Sequence, residues 1–110
     1  RQVGRDIKMN RIEILKGFLN ENSNDSFSRY ALALEYVKLG QNEDAVREFE
    51  TVKKKDPDYV TTYFQLGQLY QKMGQTHEAQ KTFRTGIPVA AKMGDEHTRR
   101  ELEGALEALL

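Results

Sequence analysis

Apolar residues along this chain recur at helical spacing, in blocks separated by short polar stretches. In the block 27–39, Leu32, Ala33, Tyr36 and Leu39 fall on one helical face. Gly40 ends the block, Gln41 and Asn42 follow, and a second block carries Ala45, Phe49 and Val52. The same order then returns. Leu32, Tyr36, Lys38, Gly40, Gln41, Ala45 and Phe49 reappear as Leu66, Tyr70, Lys72, Gly74, Gln75, Ala79 and Phe83, at a constant offset of 34. A fixed offset of this size marks a repeat architecture. Each copy predicts a helix, a glycine turn and a second helix, which together make an antiparallel hairpin. Gly40 and Gly74 suit the position just past a helix end, because glycine takes a left-handed backbone cheaply. Asn42 and Thr76 are expected as N-caps. Glu43, Asp44 and Glu78 follow in the turn where the helix dipole favours acids. The small residues Ala33, Ala45, Gly67 and Ala79 are expected where the paired helices come close, with larger side chains interlocking around them.

The flanks extend the pattern. Leu15, Phe18 and Ser23 stand one period before Phe49, Val52 and Pro57, so 10–22 predicts a leading helix equivalent to the second helix of a unit. After Gly94, Asp95 is expected as the N-cap of a segment with Leu102, Leu106 and Leu109 on one stripe and charge elsewhere. A repeat stack needs a polar outer end, and 95–110 predicts such a capping helix. The expected organisation is a tag or upstream remnant at 1–8 and a single domain at 9–110. Within it lie the leading helix 10–22, a first repeat 26–59, a second repeat 60–93 and the capping helix 95–110, about six helices in all. Pro88 falls inside the second helix of the second repeat. A helix-interior proline costs ~3 kcal/mol and removes a hydrogen bond, which predicts a kink at 84–87 with the helix resuming to about Met93.

The second repeat reads Tyr63-x-x-Leu66-Gly67-x-x-Tyr70, then Ala79-x-x-x-Phe83. The first reads Leu32-Ala33-x-x-Tyr36, then Ala45-x-x-x-Phe49 and Pro57. This pattern resembles the tetratricopeptide repeat, over about residues 10–110. Arg29 departs from it, standing where the family prefers a large aromatic or aliphatic residue, and Ala91 replaces the closing proline of the second unit. The resemblance implies an all-α fold, a right-handed stack of antiparallel helical hairpins. It also implies that the first helix of each hairpin lines a concave surface.

Composition narrows the chemistry. Lysines and arginines balance aspartates and glutamates at 17 each, so no net charge draws the chain to nucleic acid or an anionic membrane. There is no cysteine, which excludes disulfides and thiolate metal sites, and fits a reducing compartment. No apolar run reaches the length of a membrane span. A cytoplasmic location is expected, without nucleic-acid or membrane partners. His77 and His97 are the only histidines, and Lys81 stands where a zinc-protease helix would need its second one. Ser23, Ser26 and Ser28 are read as capping residues, and Lys53 to Lys55 as a run that complements a helix C-terminus. No catalytic residue, metal site or cofactor is expected.

One anomaly points to function. Phe27, Tyr30, Leu34 and Val37 form a second apolar stripe, opposite the core stripe of the same helix. A helix apolar on all sides is normally covered on all sides. The resemblance places Phe27, Tyr30, Leu34, Phe64 and Gln68 on the concave groove, with Lys38 and Lys72 at its edge. The lysine and asparagine set of the carboxylate-gripping members is absent, so a hydrophobic ligand is expected. The function implied is a non-catalytic scaffold that binds a protein or peptide partner. The alternative is a homodimer in which a second copy fills the groove.

Overall fold

The computed structural model describes residues 3–110, with side chains from Arg11 onward. Among the described residues there are six helices and no strand: α1 (Val3–Glu21), α2 (Ser26–Lys38), α3 (Asn42–Lys55), α4 (Thr61–Lys72), α5 (Thr76–Lys92) and α6 (Glu96–Glu107). The chain divides between Lys55 and Asp56 into two compact units. In the first, α1 packs on α2 and α2 on α3. In the second, α4 pairs with α5, and α6 lies against both.

The core follows the repeat pattern. Ile12, Leu15, Leu32, Ala33, Tyr36, Ala45, Phe49 and Val52 are buried in the first unit. Tyr63, Leu66, Tyr70, Ala79, Phe83, Ala90 and Leu102 are buried in the second. Full burial of a large apolar side chain contributes roughly 1.5–3 kcal/mol, so these positions carry the fold. Gly67 is the closest approach: a Cβ there would lie 2.2 Å from the Phe83 ring.

The three interhelical turns in which Gly40, Gly74 and Gly94 take φ of 74°, 78° and 72° close in the same way. The amide after each glycine reaches back over the last turn: Gln41 N to Tyr36 O, Gln75 N to Tyr70 O and Asp95 N to Ala90 O, at 2.8–2.9 Å. This bond satisfies a carbonyl that the helix end would otherwise leave free.

Of the expected side-chain caps, Asp95 is in place, while Asn42 and Thr76 are not. Asn42 and Thr76 are the first helical residues of α3 and α5, and Gln75 in the cap position makes no side-chain bond. These starts are held by the backbone of the glycine turn, with Ala45 N on Gln41 O and Ala79 N on Gln75 O. The side-chain caps are acids. Asp25 accepts from Ser28 N at 3.0 Å and from Ser28 Oγ at 2.6 Å, and Asp95 does the same with Thr98 at 3.0 and 2.7 Å. The hydrogen bonds from Ser28 hold the Asp25 carboxyl below its ordinary pKa, and those from Thr98 do so for Asp95. Of the three serines expected to cap, Ser28 takes part in the capping geometry, as the donor to Asp25.

Two boundaries also differ from expectation. The leading helix starts upstream of residue 10, at Val3. Of the segment 1–8, expected as a tag or upstream remnant, Arg1 and Gln2 lie outside the described residues. Helix α5 runs without a break through Pro88, with no interruption at 84–87. Pro88 and Arg84 are both exposed, so the carbonyl that loses its amide partner stays within reach of water. Gly86, two residues before Pro88, is buried. A Cβ there would lie 2.5 Å from Tyr63 Cβ and 3.0 Å from Leu102 Cδ1. It is the close-approach point between α5 and its neighbours.

Candidate functional site

On α2, Phe27, Tyr30, Leu34 and Lys38 follow one another at helical spacing. Phe27 is 68 % exposed, a large apolar side chain that its own unit leaves uncovered. Tyr30 is half-buried, its ring tilted against that of Phe49 at 5.8 Å, which fixes it as an anchored wall of the face. Leu34 is also half-buried. Lys38 is exposed, but its Nζ lies 3.4 Å from Glu35 Oε2.

Glu35 escapes sequence reasoning altogether. It is only 4 % exposed, on a helix whose pattern reads as apolar. Arg11 of α1 meets Glu35 Oε2 at 3.0 Å. Burial pushes the Glu35 carboxyl upward, but the Arg11 hydrogen bond and the Lys38 charge outweigh it and hold the group below its ordinary value. Lys38 thereby shares the single Glu35 charge with Arg11.

On α4, the expected residues are Phe64, Gln68 and Lys72. Phe64 is half-buried, with its ring 6.3 Å from Phe83, while Gln68 and Lys72 are exposed. This face is polar where that of α2 is apolar, and Gln71 extends the row of exposed amides.

Reactive chemistry is sparse in the rest of the structure. Among the described residues, no group of three histidines or acids is placed to hold a metal. His97 lies 3.6 Å from Glu101, and both are largely solvent-facing. In the lysine run, Lys53 pairs with Glu50 at 2.9 Å and Lys55 donates to Ser23 O at 3.4 Å. An open cleft of about 350 Å³ is lined by Asp58, Tyr59, Val60, Thr61, Met93 and Asp95. Its two carboxylates are engaged, Asp58 with Lys92 at 3.2 Å and Asp95 with Thr98, which leaves no free acid or base in it. No described helix is long and apolar enough to cross a membrane.

A further signal was present in the sequence at a different spacing. Asp25-x-x-Ser28-Arg29-x-x-Leu32 returns as Asp95-x-x-Thr98-Arg99-x-x-Leu102. The two segments share their caps, bond for bond, and Leu32 and Leu102 are both buried. By this register α6 is equivalent to the first helix of a hairpin.

Comparison with known proteins agrees with the architecture. A family profile described as TPR repeat matches residues 33–74, and one described as tetratricopeptide repeat matches 60–92. No curated protein sequence matches the chain. Among solved structures, the tetratricopeptide repeat domain protein of Salinibacter ruber is 40% identical, with 77% of this chain and 96% of that one covered and a TM-score of 0.74. The TPR2B domain of yeast Sti1, in its complex with pHsp70, is 15% identical, with coverage of 98% and 86% and a TM-score of 0.85. PcrH of Pseudomonas aeruginosa, in complex with the chaperone binding region of PopD, is 17% identical, with coverage of 98% and 82% and a TM-score of 0.86. The last two likenesses are likenesses of fold: all-helical and built of hairpin repeats.

Proposed function

Since this chain belongs to the tetratricopeptide-repeat family, we propose that it is a non-catalytic protein-interaction module whose ligand engages the exposed face of a first helix, above all that of α2. The observation that carries this reading is the face of α2. Phe27 is 68 % exposed beside the half-buried Tyr30 and Leu34, an apolar surface that the hairpin itself does not cover. On α4, Phe64 offers a smaller apolar contact, and Gln68 offers an amide able both to donate and to accept. The ligand is a peptide or partner helix that presents apolar side chains to α2. Lys38 contributes less attraction for a carboxylate, because it shares the Glu35 charge with Arg11; Lys72 is the freer cation. The structural neighbours solved with protein partners support a binding role of this kind, and the location that goes with the reading is cytoplasmic.

A peptide array tests the reading. Peptides selected by the wild-type chain should be rich in apolar residues and should lose binding to a Phe27→Ser, Leu34→Ser variant that still shows the wild-type helical spectrum. Equal binding by the folded variant would move the functional surface off α2. Self-assembly through the same face is the second reading, and Leu34→Glu would dissociate such a dimer.

A further inference from the structure

Helix α1 carries a second apolar face that nothing in its unit covers. Ile12 and Leu15 point into the core, but Ile14 is 56 % and Phe18 48 % exposed. Arg11, Ile14, Phe18 and Glu21 stand three and four positions apart, so they form one continuous stripe, with Gly17 beside it. The repeat register says what kind of element belongs there. One period on, Ile14 and Phe18 become Glu48 and Val52; two periods on, they become Thr82 and Gly86. Those positions are reached by the first helix of the same hairpin: Arg29 of α2 bonds Glu48 at 2.9 Å, and Tyr63 of α4 lies against Gly86. Among the described residues no such helix lies on α1, and Ile14 and Phe18 are exposed there.

Among the described residues α6 is the other helix outside the two hairpins, but in a second copy it would be a poor occupant. Its residues in the places of Arg29, Tyr30 and Ala33 are Arg99, Arg100 and Glu103, and Arg99 is bound up with Glu96 and Glu103. A charged face does not cover an isoleucine and a phenylalanine.

The stripe is instead complementary to itself. We propose that α1 pairs antiparallel with α1 of a second copy about a two-fold axis near Lys16. That arrangement sets Ile14 against Phe18 of the second copy, and sets Arg11 against its Glu21, each contact occurring twice as two-fold symmetry requires. Lys16 points away from the stripe. Arg11 is free to make the contact, because its side chain is 58% exposed while one nitrogen holds Glu35. Glu21 ends α1, where the helix dipole disfavours a carboxylate, and no described residue pairs with it; a guanidinium there removes that penalty. Gly17 has open space around its Cβ position and lets the two backbones draw together next to the axis. A single helix pair buries less than the ~1,200–2,000 Å² of a stable complex, so the dimer is weak and forms only at high concentration. It uses α1 alone and is independent of ligand binding on α2 and α4.

Sedimentation velocity over a series from low micromolar to near-millimolar tests this. The wild type should pass from monomer to dimer, and high salt should weaken the dimer. Phe18→Glu and Glu21→Arg should each hold the chain monomeric throughout, with unchanged circular dichroism. Gly17→Leu should dissociate the dimer without lowering the thermal midpoint, which separates a contact role from a structural one. A wild type that stays monomeric at every concentration overturns the proposal. So does a dimer that survives Phe18→Glu, above all one that Leu34→Glu dissociates instead.

Discussion

The hairpins α2–α3 and α4–α5 build the same connection from different side chains. Arg29 and Tyr63 occupy one repeat position, and Ser23 and Pro57 occupy another. The Arg29 guanidinium donates to Ser23 O at 3.0 Å, and the Tyr63 hydroxyl donates to Pro57 O at 2.6 Å. The bond between the first helix and the preceding loop is kept while the donor changes from a cation to a phenol. The change travels with a partner. Arg29 extends to Glu48, and Val52 fills the second helix of its unit; Tyr63 brings a broad ring, and the matching residue is Gly86. Side-chain volume moves from one helix to the other while the backbone pairing is preserved. The repeat therefore constrains pairs of residues more tightly than single ones, as close packing demands.

The sharpest way to break this comparison is to violate the close approaches of the second hairpin. Gly67→Leu should lower stability by about 3 kcal/mol, because Phe83 is fully buried and has no room to retreat. Gly86→Val, which gives the second hairpin the residue of the first, should cost about 2 kcal/mol against Tyr63. Adding Tyr63→Arg should recover part of that loss. Urea melts of the single and double variants measure the coupling, and strictly additive effects would mean that the two positions do not constrain each other.

Glu35 sharpens the comparison from the other side, since its equivalent in the second hairpin is the buried Leu69. Glu35→Leu should be neutral or stabilising by about 1 kcal/mol, because an apolar residue of similar size escapes the desolvation that the ion pair must offset. Arg11→Ala should cost about 1 kcal/mol, moderated by the exposure of Arg11 and by Lys38 remaining in place. The pH dependence has a definite sign. The folded-state pKa of Glu35 is lowered, so its ionisation stabilises the fold above the ordinary glutamate value of 4.5, and that contribution disappears as pH falls through the lowered value. Acid should thus destabilise the wild type more than Glu35→Leu, as thermal melts at neutral and strongly acidic pH would show. Tyr63→Phe should cost about 1 kcal/mol at most, for the loss of one hydrogen bond to Pro57 O. A change near zero there would mean that the loop carbonyl finds water as readily as it finds the phenol.

What could be read from residues alone was what recurs. The core positions and glycine turns repeat at a constant offset, and they lie where the offset puts them. Local rules misled at Pro88 and Gly86. The first lies on an exposed flank where a lost hydrogen bond is tolerated, and the second is a packing contact that only tertiary neighbours reveal. Phe27 was legible as a surface residue because it lies off the core stripe, but the half-burial of Tyr30 and Phe64 depends on Phe49 and Phe83, which are distant in sequence. Glu35 was hidden because its partner Arg11 lies on another helix. The kinship of α6 with α2 was hidden for a simpler reason: α5 has 17 residues where α3 has 14, so a constant offset passes over the shared Asp, Ser or Thr, Arg and Leu.

The left-handed turns carry a consequence for chirality. At Gly40, Gly74 and Gly94 an added L-Cβ would meet no atom within 4 Å, so steric crowding by neighbours is no objection to a side chain there. The objection is the hand of the backbone, whose positive φ an L-residue enters at a penalty of roughly 1–2 kcal/mol. A chemically synthesised chain with D-alanine at these three sites would reverse that penalty and also narrow the unfolded ensemble, since D-alanine favours the conformation that glycine merely permits. Each of these three corners would then be written in mirror-image residues, and the helix pairs they join would be more stable for it.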